Sequence, residues 1–190
     1  MLKKLSITLL IFPFILTGCL GTEDSQQELT TGKEIYQSNT YSIIYPTDWE
    51  VIDSSGFTSN VPNQTQIAFR NNIKSNIFTA NLNISTTQIT TGLSAEDFAK
   101  SNLKNAKNSL LDFQELNNIN SIVFYGGNEH EAYTLEFSGR KSAVESVIHF
   151  KQLYTVRDNI GYIVTAAHLP DEDETIVKEL DEMLNSFALE

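Results

Sequence analysis

Between residues 78 and 86 the sequence FTANLNIST alternates strictly. Phe78, Ala80, Leu82 and Ile84 fall on one side, and Thr79, Asn81, Asn83 and Ser85 on the other. Successive side chains of a strand point to opposite faces, so this pattern can satisfy its apolar residues only as a half-buried strand. Such a strand belongs in an antiparallel sheet with one face on the core. The constraint is strong because a slip of one residue would carry every apolar side chain to the polar side.

Further β-rich runs surround it. Tyr41–Tyr45 ends at Pro46-Thr47-Asp48, a turn, after which Trp49–Ile52 starts a second strand. Ala132–Phe137 groups Tyr133, Leu135 and Phe137. Residues 147–156 group Ile148, Phe150, Tyr154 and Val156, and 161–169 is nearly all apolar or small. Arg157-Asp158-Asn159 reads as a tight hairpin, since Asp and Asn tolerate the positive φ that such turns need. Apolar pieces at 113–116 and 119–125 add one or two strands.

Two helices interrupt this pattern. Ser94 with Asp97 three residues on forms a capping box with Asp in place of Glu, and Ala99, Leu103, Ala106 and Leu110 then make one stripe. A last helix starts near Pro170-Asp171 and carries Ile176, Leu180, Leu184 and Phe187. The order β-β-β-α-(β)-β-β-β-α predicts an α+β fold with a central antiparallel sheet flanked by helices.

The N-terminus sets an address. MLKK precedes an apolar run from Leu5 to Leu16, the order of a secretory signal. The run is roughly 12 residues, short of the roughly 20 that a membrane-spanning helix needs. Leu16-Thr17-Gly18-Cys19 follows and contains the chain's single cysteine. This segment resembles the lipobox of bacterial lipoproteins. The resemblance implies a signal peptide over 1–18, lipid on Cys19 and anchoring to the outer face of a cell membrane, or to the outer membrane of a diderm envelope. Two or more acyl chains give stable anchoring where one gives marginal binding. Residues 20–39 are polar and without period, so 19–39 reads as a lipidated N-terminus and flexible tether, and 40–190 as one domain.

The chain's net charge is −11, and loss of residues 1–18 would remove Lys3 and Lys4 and no acid. An acidic body of this kind argues against nucleic acid, which is bound by Lys and Arg neutralising phosphates. It also argues that lipid, not a basic patch, holds the protein at its membrane.

Tyr45-Pro46-Thr47-Asp48-Trp49, the mid-chain helix, the long hairpin and the closing amphipathic helix together resemble PsbP-like domains, a family that includes small bacterial lipoproteins of the DcrB type. The resemblance spans about residues 40–188. It implies an α/β/α sandwich around an antiparallel sheet, and a role in binding or stabilising other proteins without catalysis.

Candidate chemistry is sparse. The acid cluster Asp171, Glu172, Asp173 and Glu174 supplies oxygen ligands, and Asp171, Asp173 and Glu174 are the weak candidates for calcium. The run lacks the glycine-assisted turn of a calcium loop and enters a helix, whose positive end favours acids. His130, His149 and His168 show no paired metal-ligand spacing. No nucleophile elbow is present either, so nucleophilic catalysis is not expected, and the scattered histidines give no expectation of a metal or other cofactor. Tyr41, Tyr45 and Trp49 could floor a ligand groove, or simply fill the core. The sequence thus points to a lipid-anchored binding or assembly factor for membrane or envelope proteins, with a small-ligand or calcium-binding lipoprotein as the alternative.

Overall fold

The computed structural model of the chain describes residues 32–57, 61 and 64–190. Cys19 and the rest of the signal and lipobox lie outside the described residues. In chain order the elements are β1 (Lys33–Gln37), β2 (Tyr41–Pro46), β3 (Glu50–Asp53), β4 (Thr65–Arg70), β5 (Asn81–Gln88), α1 (Ala95–Ser109), β6 (Leu111–Tyr125), β7 (Asn128–Arg140), β8 (Ile148–Arg157), β9 (Ile160–His168), α2 (Glu174–Asn185) and β10 (Ala188–Leu189).

The ten strands among the described residues join one sheet in the order β1-β2-β10-β6-β7-β8-β9-β5-β4-β3. Strands β6 to β9 form a meander. Its last turn is Asp158-Asn159 with φ of 52° and 61°, and its first is Gly126-Gly127 with φ of 53° and 79°. Positive φ at both central residues gives the turn twist that matches paired strands. The expected hairpin at Asp158 and Asn159 is therefore present. The single parallel pairing among the described residues joins β10 to the end of β6.

The sheet separates two cores. On one face α2 lays Ile176, Leu180, Met183 and Leu184 over Ile43, Leu82, Ile84, Leu153 and Val164. Full burial of an aliphatic side chain of this size contributes about 1.5–3 kcal/mol, which is ample to dock a short helix. On the other face α1 packs Ala95, Phe98 and Ala99 against Tyr133, Leu135 and Tyr154. Gly161 permits this approach: a Cβ there would lie 2.5 Å from Phe98 Cζ.

The sheet also curls. Tyr36 of β1 and Tyr45 of β2 sit 5.8 and 5.0 Å from Phe69 of β4, although those strands lie near opposite ends of the sheet order. The α2-side core is thus wrapped by strands as much as it is covered by a helix. The expected α/β/α sandwich is accordingly corrected to a curled, sheet-dominated fold with one helix on each face.

Several boundaries differ from those read in the sequence. Residues Lys33–Gln37, inside the span expected as tether, form β1 and pair with β2 from Lys33↔Pro46 to Gln37↔Ser42. The short KEIYQ segment carries little local signal. Its order comes from Tyr36 packing on Tyr41 and Phe69, and from Lys33 Nζ at 2.7 Å from Glu182. Strand β4 is absent from the strands read in the sequence, the two apolar pieces at 113–125 are one strand, and Phe187 lies beyond α2 at the approach to β10.

Candidate functional site

Strict alternation along β5 also helps to build a broad concavity. The residues that bury Leu82 and Ile84 on the α2 side place Asn81, Asn83 and Ser85 on the α1 side. There α1 covers β7 and β8, but the adjoining surface of β8, β9, β5 and β4 is left open as a groove of about 1230 Å³. Gln152 of β8 and Thr165 of β9 continue its floor, as cross-strand partners in register.

The floor is a neutral hydrogen-bonding surface. Gln152 Nε2 donates to Thr165 Oγ1 at 3.0 Å, and Gln152 Oε1 accepts from the Tyr154 hydroxyl. Burial pushes the Tyr154 phenol above its ordinary range, so it remains a proton donor. This fixes the Gln152 amide in one orientation. Thr65 and Ser85 hydroxyls meet at 3.3 Å at the β4 side.

Apolar loop tips and cations rim the groove. Ile77 is 69% exposed and Val144 95% exposed, on the loops before β5 and after β7, and both line it. Arg70 donates to Glu50 Oε2 from Nε at 3.1 Å and from Nη2 at 2.7 Å. The hydrogen bond from Arg70 holds the Glu50 carboxyl below its usual value, and the charges of Arg70 and Lys74 add to this. At the other end Arg140 pairs with Asp112 at 2.6 Å and donates to the Ala143 carbonyl at 2.9 Å, which leaves its buried Nε without a partner among the described residues. Glu145 is the one carboxylate among the described lining residues, and no histidine lines the groove. Amides and hydroxyls under apolar tips can hold a ligand by neutral hydrogen bonds and apolar contact. They supply no nucleophile paired with a base.

The residues singled out in the sequence lie elsewhere. Tyr41 is 3% exposed in the α2-side core, stacked on Phe187 at 5.7 Å. Trp49 is equally buried, and its Nε1–H donates to Glu179 at 2.8 Å. Tyr45 packs on Phe69 while its hydroxyl donates to Glu34 at 2.7 Å. Asp173 caps α2, accepting from the Thr175 backbone N–H at 2.8 Å, and that bond lowers its pKa. Asp171 and Glu174 are exposed beside it, and no cluster of three metal-ligating side chains occurs among the described residues.

The structure does bring two histidines together. His149 and His168 are cross-strand partners with ring centroids 5.5 Å apart, near the start of β8 and at the end of β9. Burial, and then the charge of His168, hold the His149 pKa below the ordinary histidine value. Their pairing follows from the two-residue hairpin register, which the sequence contains. The groove floor was legible as the polar half of the 78–86 alternation, but not that its face would stay uncovered.

No protein-family model and no curated protein sequence matches the chain. Solved structures do match. Cyanobacterial PsbP (CyanoP) from Synechocystis sp. PCC 6803 superposes with a TM-score of 0.60 at 17% identity, covering 91% of this chain and all of that one. LpqN, described as involved in cell envelope biogenesis of Mycobacterium tuberculosis, gives 0.56 at 17% identity over 83% of this chain and 90% of its own. The Saccharomyces cerevisiae Ran-binding protein Mog1p gives 0.52 at 10% identity, over 83% and 95%. The fold is therefore PsbP-like. Among the described residues no helix is long and apolar enough to cross a membrane.

Proposed function

We propose that the protein is a lipid-anchored, extracytoplasmic binding or assembly factor for membrane or envelope proteins, acting without catalysis. The observation that carries this reading is the open groove, whose floor offers oriented amides and hydroxyls and no nucleophile–base pair. The order of basic start, apolar run and lipobox supports the anchor at Cys19. The shared fold with LpqN and CyanoP, and with the Ran-binding Mog1p, supports a role in engaging other proteins.

The test is cross-linking in membranes that contain the tagged full chain, compared with Cys19→Ala, followed by identification of what co-purifies. A defined membrane or envelope protein that disappears with Cys19→Ala supports the anchored role. Lipidated protein that captures nothing speaks against it. The same groove favours a second reading, a small-ligand-binding lipoprotein. Thermal stabilisation by a small polar solute, lost when Asn83 is replaced by Leu, would select that alternative, because a ligand bound only to the native state raises the midpoint by mass action. Stabilisation by calcium, lost in Asp171→Asn with Glu174→Gln, would instead select the metal form of that alternative.

A further inference from the structure

Strand β6 is an open edge for most of its length. It pairs with β7 from Leu111 to Tyr125, whereas β10 reaches its other side only at Phe124 and Tyr125. Among the described residues, nothing pairs with the outward edge before Phe124. The first part is disrupted by two register shifts, at 111–114 and 115–117, and from Asn117 onward the pairing with β7 is regular. A regular open edge presents unpaired N–H and C=O groups that template another strand.

Open edges are usually protected by charge or proline, and this one is not. From Leu116 to Asn128 the sequence LNNINSIVFYGGN contains no charged residue and no proline, within a chain of net charge −11. Leu116, Ile119 and Ile122 are each about half exposed (45%, 48% and 50%). Two acidic molecules repel each other over most of their surface, so an uncharged edge is where copies can approach.

The same segment is chemically palindromic. Read in either direction, Leu116-Asn-Asn-Ile119-Asn-Ser-Ile122 is apolar, polar, polar, apolar, polar, polar, apolar. A two-fold symmetric contact requires that if residue i meets j, then j meets i. An antiparallel pair of β6 strands centred on Ile119 therefore sets Ile119 against Ile119, Asn118 against Asn120, Asn117 against Ser121 and Leu116 against Ile122. Every pair is like with like. The pairing also ends before Phe124, where β10 occupies the edge.

We propose that a second copy of this chain adds to the sheet through β6, forming an antiparallel two-fold dimer centred on Ile119. The contact is independent of the groove and of whatever the groove binds.

The test uses the full chain with Ile119→Cys, exposed to mild oxidant or a short thiol cross-linker and resolved on a non-reducing gel. Residues directly opposite in an antiparallel pair bring their Cβ atoms to about 4.5–5.5 Å, within reach of such a link. The parent chain, which keeps Cys19, sets the background, and Val144→Cys, on the groove rim, controls for random collision. The expected result is a band at twice the chain mass for Ile119→Cys, far above both controls. It should be lost when Asn120→Lys, or separately Ile122→Lys, is added, because the first brings two like charges close to the two-fold axis and the second sets a charge against the apolar Leu116 of the other copy. Both lysine positions are exposed, and an unchanged thermal midpoint in at least one variant shows that the loss is not unfolding. No excess over Val144→Cys overturns the proposal. So does a band that survives both lysines, or a product whose mass shows a different protein on β6.

Discussion

Trp49 and Glu179 meet across 130 residues of chain, the indole Nε1–H donating to the Glu179 carboxylate at 2.8 Å. This bond ties the turn between β2 and β3 to the half-buried flank of α2, while the indole ring itself is buried in the core beneath. Trp49 thus serves as a peg from the sheet into the last helix. Truncation Trp49→Ala should cost about 3–5 kcal/mol, the usual range for removing a buried large aromatic. Trp49→Phe keeps most of the packing but loses a hydrogen bond to a charged acceptor, at about 1–3 kcal/mol. Urea unfolding followed by circular dichroism measures both, since the chain's one tryptophan is removed in each.

Phe98 and Gly161 define how closely α1 approaches the sheet. With only 2.5 Å between Phe98 Cζ and a Cβ at position 161, Gly161→Ala forces the ring or the helix outward. Overpacking of this kind costs about 1–3 kcal/mol. Adding Phe98→Leu frees the space, so the double variant should be more stable than the sum of the two single losses predicts. A double-mutant cycle with a coupling below about 0.5 kcal/mol would contradict this contact.

Ser94 accepts from the Asp97 backbone N–H at 3.0 Å, the N-cap half of the capping box expected from the sequence, while it is the Ser94 hydroxyl that donates to the Asp97 carboxylate, at 2.9 Å. Ser94→Ala removes the acceptor for the first turn of α1. The loss should be about 1 kcal/mol, read as a lower urea midpoint with an unchanged slope.

His149 makes the fold sensitive to mild acid. Burial and the neighbouring His168 lower its pKa in the folded state below the ordinary value of about 6.5. The unfolded chain therefore takes up the proton first, and stability falls as pH drops below about 6.5. Above that value the contribution is complete, because both states are then neutral. His149→Gln should flatten the fall in thermal midpoint between about pH 7.5 and about pH 5.5. An equally steep fall in this variant would assign the acid sensitivity to other groups.

On the same face, Lys151 shows why burial alone does not decide a pKa. Desolvation lowers it, yet Asp181 at 2.9 Å and Glu136 at 3.3 Å outweigh that effect and hold the ammonium above its usual value. The triad joins β7, β8 and α2, and its two carboxylates come from segments that the sequence offers no reason to bring together.

Local chemistry in the sequence determined a good deal of this protein. The alternation at 78–86, the Ser94 cap and the Asp158-Asn159 turn each depend on neighbours a few residues away, so each is legible in a short stretch of chain. The antiparallel sheet, the two amphipathic helices and the polar floor of the groove follow from them. The tertiary structure alone decided the rest: that KEIYQ becomes β1, that Tyr41 and Trp49 fill the core, that Lys151 meets Asp181, and that the α1 face stays open beside its helix. Those outcomes rest on contacts between residues far apart in sequence. Their energies arise from burial and pairing that exist only once the sheet has curled, and no window along the chain contains them.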